Sequence, residues 1–483
     1  MKPLPDWLRE ELRFFLVTSW PIVVLPILTD LPIITCNLMI AQSNLLSQAA
    51  FSMITTFYWL VYAFGMGMAM GTEGLFSQAF GAKNYRYLRL LLQRGLLILI
   101  CGGLLLIPLN FTADKIFMLL GQNATVAEEA GRMLMVMTPD NIFILSSSVL
   151  TRFLMSQDIV IPVVIVAVLN NVVTAVICYV TVIVLRLASL GVVISLIVFF
   201  FIGTVTMGIG SSLVNRDTIA IYRINTDIFK NLWEITIMVI GSSVSIMCVG
   251  ISLIIGMFLT GTFGVVELVA LGVSMQLIFL NRNICWGMGE ACCMRVGFLL
   301  SSRDGQTAKR ALFFYQGVSV MVTVVLGVLI CSLHDVLARG FASDSSVEAK
   351  LKLTLLYIGA TLPLFAVDVI FSAAIRGCAK IAIITITFLV NLILGTSLGL
   401  ILLYFTRLGA LSVIIGYQSM CVLNALIFFS YAIFVLDWDE QSKLARQRTT
   451  DDLKLFQDGT GNSELDYNTF ELTPSATLRR DSS

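Results

Sequence analysis

Long apolar runs alternate with short polar turns along most of the chain. A helix needs about 20 apolar residues to cross a bilayer, and twelve runs are long enough to do so. The first six predicted spans lie near residues 14–40, 49–78, 88–108, 128–152, 160–184 and 189–210. The second six lie near residues 234–259, 264–296, 308–332, 349–375, 380–405 and 410–436. The pattern predicts an all-α polytopic membrane protein with twelve transmembrane helices.

The longest polar interruption between spans, residues 211–233, separates two sets of six. We therefore expect an N-terminal six-helix bundle with an inner linker over residues 1–225 and a C-terminal bundle over residues 226–436. Asn170 in span five and Asn391 in span eleven each follow a short basic loop, so the halves look weakly alike. Six spans per half give both copies the same orientation, which favours parallel repeats related by an axis along the membrane normal.

Residues 437–483 differ from the rest of the chain, with ten acidic and six basic residues and few large apolar ones. Such a composition cannot bury enough apolar surface to fold alone. The sequence predicts a disordered cytoplasmic tail.

The loop charges predict the orientation of the chain. With a cytoplasmic N-terminus, the inner loops hold thirteen Lys and Arg residues and the outer loops six. Cytoplasmic loops carry the excess of positive charge, so both termini should be cytoplasmic, in the plasma membrane or an endomembrane. Two glycosylation sequons, at Asn110 and Asn123, then fall on the predicted outer side.

The composition changes this picture little but excludes several classes of function. Charged residues make up 13% of the chain, hydrophobic residues 58%, and the net charge is +1. That balance gives no case for nucleic-acid binding. The ten cysteines lie in apolar stretches without metal-ligand or disulfide spacing, and His334 is the single histidine. We predict no metal site, no cofactor and no enzymatic activity.

Two sequence stretches resemble the multidrug and toxin extrusion (MATE) family. The first runs from Gly71 to Arg86 and ends at Gln93-Arg94, and it is similar to the family's span-two signature. The second runs from Gly256 to Leu268 and is followed by Arg295-Val-Gly297. A third, weaker match is Arg376-Gly377 followed by Lys380 and Asn391.

The resemblance implies two six-helix bundles arranged in a V shape around a central cavity. It also implies export of organic cations or xenobiotics, driven by inward movement of H⁺ or Na⁺. Eukaryotic members carry glutamates in spans seven, eight and ten. This chain departs from that pattern, because the matching positions are Val249, Ile254, Gln276 and Phe365.

Charged residues inside predicted spans are the main functional candidates, since each costs about 2.5–3.5 kcal/mol to insert. Asp368, Asp30 and Glu290 are candidates for binding the coupling ion. Asp30 lies between Pro26 and Pro32, and prolines free backbone carbonyls of the kind that line transporter sites. Glu73, Gln78 and Arg295 are candidates for closing the inner side, with Arg295 also a candidate partner for Glu290.

Further polar and aromatic residues are candidates for the substrate cavity. They are Arg282, Gln276, Asp140, Asn170, Asn391 and Trp286. Arginine does not readily lose its charge, so Arg282 must face water, a carboxylate or an anionic substrate. We expect an ion pair with Asp368 rather than a site for anionic cargo.

The sequence therefore favours a monomeric antiporter that exports small organic molecules in exchange for H⁺ or Na⁺. One alternative is a transporter of the same superfold that moves an anionic metabolite or a lipid-linked cargo, which Arg282 and the missing glutamates favour. A second alternative is a non-transporting membrane receptor or scaffold.

Overall fold

A computed structural model describes most of the chain and shows it to be helical. The described residues are 5–40, 45–119, 122–214, 226–230, 232–261, 263, 265–341, 345–406 and 408–457. The first ten helices are α1 (Asp6–Phe14), α2 (Trp20–Ile40), α3 (Leu45–Gly81), α4 (Tyr85–Leu105), α5 (Ile107–Phe111), α6 (Ala113–Leu119), α7 (Ala124–Val136), α8 (Asp140–Met155), α9 (Ile161–Cys178) and α10 (Ser189–Val214). The others are α11 (Leu232–Gly261), α12 (Val265–Ser302), α13 (Gly305–Phe341), α14 (Ser345–Gly377), α15 (Ile381–Phe405), α16 (Ala410–Ser430) and α17 (Trp438–Gln457).

The helices follow the apolar runs of the sequence. Each of the twelve predicted segments contains helix, and π-helical turns continue α9 and α16 to Val184 and Val435. Within the described ranges, nine helices are long and apolar enough to cross a membrane, or ten if α7 and α8, bent by 55°, form one span. The second and eighth predicted segments are occupied by α3 and α12, which are 37 and 38 residues long. The expected all-helical polytopic fold is confirmed.

Glycines bring the two halves into close contact where α3 meets α11. A Cβ on Gly71 would lie 2.8 Å from the Cα of Val239, and one on Gly67 would lie 2.5 Å from the Cα of Ser243. The two glycines are four residues apart and so share one face of α3. Small residues at this spacing let helix backbones approach in a membrane, so this interface depends on them.

The prediction of a disordered tail from residue 437 is wrong for residues 438–457, which form α17. Two apolar side chains of this helix, Trp438 and Ala445, are buried. The Ser442 hydroxyl donates to the Leu300 carbonyl at 2.8 Å. Burial of these side chains against the C-terminal end of α12 and the N-terminal end of α13 supplies the stability that the composition lacks. Residues 458–483 and 215–225, also part of the predicted tail and linker, lie outside the described residues.

Asn84 joins α17 to the first half of the chain. Its side-chain oxygen accepts from the Tyr87 amide at 3.0 Å and caps α4, while Nδ2 donates to the Thr449 carbonyl at 2.6 Å. We expect Asn84→Ala to lower the free energy of unfolding by about 1–2 kcal/mol, because it removes a helix cap and a buried contact. Thermal unfolding in detergent checks this, with the exposed Asn123→Ala cap as control. An unchanged melting temperature would contradict the role of Asn84.

Candidate functional site

One cavity of about 710 Å³ lies in the second half, with walls from α11, α12, α14, α15 and α16 and one contact from α3. We call it the second-half cavity. Its polar and aromatic lining includes Ser242, Arg282, Trp286, Asp368, Arg376, Tyr417 and Asn424. Two of the predicted cavity residues and one predicted coupling residue therefore meet in one place.

Asp368 is the carboxylate of this cavity and is 4% exposed. The Asn424 amide approaches its Oδ2 atom at 3.4 Å, and Asn391 Nδ2 donates to Asn424 Oδ1 at 2.6 Å. Asn391 thus acts behind the cavity wall, through Asn424. The sequence pattern does not single out Asn424, although it is a polar residue in an apolar span and could have been found on that ground.

The expected ion pair between Arg282 and Asp368 is wrong, because no nitrogen–oxygen distance within 4.0 Å joins these two described side chains. Instead the Arg282 guanidinium lies 4.5 Å from the centroid of the Trp286 ring and 5.2 Å from that of Phe279. Nη1 is 3.4 Å from the Tyr417 hydroxyl. Cation–π contacts hold the guanidinium against the aromatic wall. The predicted cavity residue Gln276 lies in α12, and its side chain is outside the described part of the chain.

A second cavity of about 770 Å³ lies in the first half and has a more polar lining. Its lining includes Thr29, Tyr62, Ser147, Ser148, Thr151, Arg152, Asn170 and Glu290. Asn170 also donates to the Phe199 carbonyl at 2.8 Å. Asp140 was expected to line this cavity but does not, because it begins α8 and is fully buried elsewhere.

A buried ion pair at this cavity joins the two halves of the chain. Arg152 Nη2 on α8 lies 2.7 Å from Glu290 Oε1 on α12, and the two side chains are 7% and 5% exposed. Glu73 Oε2 lies 3.9 Å from Arg152 Nε. The expected partnership of Glu290 with Arg295 is therefore wrong. Arg295 instead pairs with Glu11, because helix α1 places this carboxylate next to it, with 2.7 Å between Arg295 Nη2 and Glu11 Oε1.

Asp30 also makes a hydrogen bond between the two halves of the chain. Its Oδ2 accepts from Asn283 Nδ2 at 2.6 Å. Two residues later Pro32 has no N–H to bond the Leu28 carbonyl, its i−4 partner, and Asn171 Nδ2 donates to that carbonyl at 2.9 Å. Pro32 thus frees a carbonyl group as expected, but a side chain of α9 satisfies it, and Asp30 is not among the lining residues of the two cavities.

Gln78 links the halves near the C-terminal ends of α3 and α14. Its Nε2 donates to the Gly377 carbonyl at 2.8 Å, and Arg448 of α17 approaches its Oε1 at 3.5 Å. Glu73, Gln78 and Arg295 therefore all lie where the halves or the terminal helices meet. Their role in closing the inner side stays a prediction.

The two sequons differ in accessibility. Asn123 is exposed and caps α7 by accepting from the Thr125 amide at 3.0 Å. Asn110 is 1% exposed, so a glycan cannot attach to it in this conformation. The prediction for Asn110 is therefore wrong, because α5 turns its side chain inward.

Comparison with known proteins places this architecture in a family. The model of the MatE family matches residues 21–180 and 241–401, once in each half of the chain. The chain belongs to the MATE family. The two matches fall on corresponding parts of the halves, as expected for an internal repeat. MATE proteins are membrane transporters of the multidrug and toxin extrusion class and not enzymes. Membership of this family therefore argues against the alternative of a non-transporting receptor or scaffold.

MATE relatives match along most of this chain at low identity. Multidrug and toxin extrusion protein 1 of Xenopus tropicalis is 25% identical over 82% of this chain and 69% of the relative. Multidrug and toxin extrusion protein 2 of Oryctolagus cuniculus is 27% identical over 90% and 73%. The crystal structure of the eukaryotic MATE transporter AtDTX14 superposes with a TM-score of 0.85 at 20% identity, covering 92% of this chain and all of that one. The likeness of fold is thus stronger than the likeness of sequence.

Proposed function

We propose that this MATE protein is an antiporter that exports small organic molecules, including cations, in exchange for protons bound at Asp368. The observation that carries the proposal is the setting of this carboxylate. It lines the second-half cavity, is 4% exposed, and its Oδ1 has no hydrogen-bond partner within the described ranges. An isolated buried charge is costly, and a proton or a cationic ligand removes that cost. Either occupant excludes the other, which is the requirement for antiport.

The other two candidate carboxylates are less suited to this role. Glu290 already has the Arg152 guanidinium at 2.7 Å, and Asp30 accepts a hydrogen bond from Asn283 at 2.6 Å. A group that must exchange a proton for a ligand should not have a fixed cation as partner. One carboxylate and one amide at Asp368 also supply few oxygen ligands for Na⁺, which favours H⁺.

Flux into proteoliposomes tests the proposal. An aromatic organic amine should accumulate when the vesicle interior is more acidic than the medium, because each amine that enters is exchanged for a proton that leaves. A Na⁺ gradient alone should have no effect. Accumulation that follows only the Na⁺ gradient would contradict the choice of ion. No gradient-dependent flux with any of several amines would contradict the antiport proposal.

A second candidate, export of an anionic metabolite or a lipid-linked cargo, is favoured by the charge of the cavity wall. Arg282 and Arg376 both line the second-half cavity. The same vesicles loaded with organic anions test it, because anion flux without amine flux would replace the first proposal.

The orientation of the protein is part of the proposal. From the loop charges we infer that both termini are cytoplasmic. We also propose that the protein acts as a monomer in the plasma membrane or an endomembrane. A small tag after Ser483 should be inaccessible to a membrane-impermeant reagent in intact cells and reactive after permeabilisation. Labelling of intact cells would contradict this, and a tag at the exposed residue Asn123 provides the matched outer control.

A further inference from the structure

Polar atoms without partners are concentrated in the second-half cavity. Within the described part of the chain, no hydrogen bond is made by Arg376 Nε and Nη2, Ser242 Oγ, Trp286 Nε1 or Asp368 Oδ1. All four residues line this cavity and are at most 9% exposed. Buried polar groups in native proteins are almost always hydrogen-bonded. Three kinds of donor and one acceptor thus remain for a ligand.

The charge of the cavity lining is biased towards positive. The charged side chains in it are Arg282, Arg376 and Asp368, so two guanidinium groups face one carboxylate. Glu73 attracts Arg376 from α3, but it is not among the lining residues and forms no ion pair within 4.0 Å of Arg376 in the described structure. Arg152 and Glu290 neutralise each other at the first-half cavity. A ligand with a negative group therefore gains more here than a simple cation.

The order of groups along α14 makes the site bipolar. Asp368, Ser372 and Arg376 follow at four-residue intervals and share one face of the helix. Eight residues at about 1.5 Å each separate the carboxylate and the guanidinium positions by about 12 Å along the axis. Side chains lean towards the helix N-terminus, which brings the Arg376 guanidinium closer to Asp368. Phe365, Trp286 and Tyr417 complete an aromatic wall beside this face.

We propose that the second-half cavity binds amphoteric aromatic molecules, with the ammonium group at Asp368 and the carboxylate at Arg376 and Ser242. Arg376 donates from Nε and Nη2 to the two carboxylate oxygens, which is the bidentate geometry typical of arginine. Ser242 Oγ donates a further hydrogen bond. The inference rests on the proposed function, because the ammonium group competes with the proton at Asp368 while the carboxylate selects the cargo.

Three related probes test the selection. 4-(2-Aminoethyl)benzoate carries both charges, its methyl ester carries only the ammonium group, and 4-ethylbenzoate carries only the carboxylate. Binding to the purified full chain is measured by calorimetry, and transport by proteoliposome flux. We expect the amphoteric probe to bind roughly 10- to 100-fold more tightly than the ester, since hydrogen bonds to charged groups are among the strongest. 4-Ethylbenzoate should bind more weakly than the amphoteric probe.

Variants locate the carboxylate subsite. Arg376→Gln should remove the preference for the amphoteric probe over the ester, while Ser242→Ala should reduce the preference several-fold. Ser245→Ala is the matched control, because its hydroxyl already donates to the Gly241 carbonyl at 2.9 Å. If Arg376→Gln does not fold, the probe comparison in the unaltered protein and in Ser242→Ala decides the question.

Equal affinity of the unaltered protein for the amphoteric probe and the ester would overturn the inference. So would an unchanged preference in Arg376→Gln, or restoration of that preference in the double variant Arg376→Gln/Glu73→Gln, which would make Arg376 only a partner of Glu73. Failure of the inference differs from failure of the proposed function. In the first case the ester still moves with the pH gradient, and in the second case none of the three probes does.

Discussion

Asp368→Asn should reduce pH-driven accumulation of an organic amine to the level of protein-free vesicles. Asparagine keeps the shape of the side chain and the contact with Asn424, but it cannot take up a proton. Transport down the amine's own concentration gradient should also fall, because Asp368 is the proposed partner of the ammonium group. Proteoliposome flux at matched protein density measures both quantities. The expected loss is the largest in the protein, since coupling depends on one carboxyl group in this proposal.

Two further variants give this experiment its controls. Asp335→Asn removes an exposed carboxylate, 2.9 Å from Lys352, that is not among the lining residues of the two cavities and should leave coupling unchanged. Asp30→Asn alters another aspartate in a predicted span and should keep the coupling, because Asp30 accepts a hydrogen bond from Asn283. Unchanged accumulation in Asp368→Asn would remove this residue from the mechanism. Loss of coupling in Asp30→Asn alone would move the proton site to the first half.

The transmembrane helices could be predicted from the sequence because bilayer crossing depends on the length of each apolar run along the chain. Runs of about 20 apolar residues predict helices, and each of the twelve segments contains helix in the structure. The tail shows the limit of this reasoning. Residues 438–457 have a composition that does not fold alone, but Trp438 and Ala445 are buried where this helix packs on α12 and α13. Such a surface exists only after the membrane helices have packed.

The partners of the charged residues were harder to predict than their positions. Asp368 and Arg282 were found as mid-span charges, and the structure brings both to one cavity. Their pairing was wrong because aromatic rings one turn before and after Arg282 on α12 already contact its guanidinium. Glu290 was matched with Arg295 because the two are near in sequence. Its partner Arg152 is 138 residues away, a distance across which sequence pattern carries no pairing information.

The ion pair between Arg152 and Glu290 should contribute strongly to stability, because both side chains are buried. Glu290→Gln leaves the Arg152 guanidinium buried with Glu73 as its nearest carboxylate, at 3.9 Å. Breaking a buried pair costs about 3–5 kcal/mol, so this variant should express poorly or unfold at a clearly lower temperature. The double variant Arg152→Met/Glu290→Met removes both charges and keeps the side-chain volume. This double variant should recover at least half of the lost free energy of unfolding. Glu73 then loses Arg152 as a neighbour but is still attracted by Arg376.

An exposed pair of the same chemistry is the control for this cycle. Arg303 and Glu10 lie 2.5 Å apart with 47% and 45% of their side chains exposed, so Glu10→Gln should cost at most about 1 kcal/mol. Thermal unfolding of the purified variants in detergent compares the loss of stability at the two pairs. A stable Glu290→Gln that had lost pH-driven flux would instead identify Glu290 as the proton site. If Glu290→Gln and Arg152→Met/Glu290→Met were equally stable, the buried pair would not hold the halves together. Removal of Arg152 restores stability only if its unpaired charge was the cause of the loss.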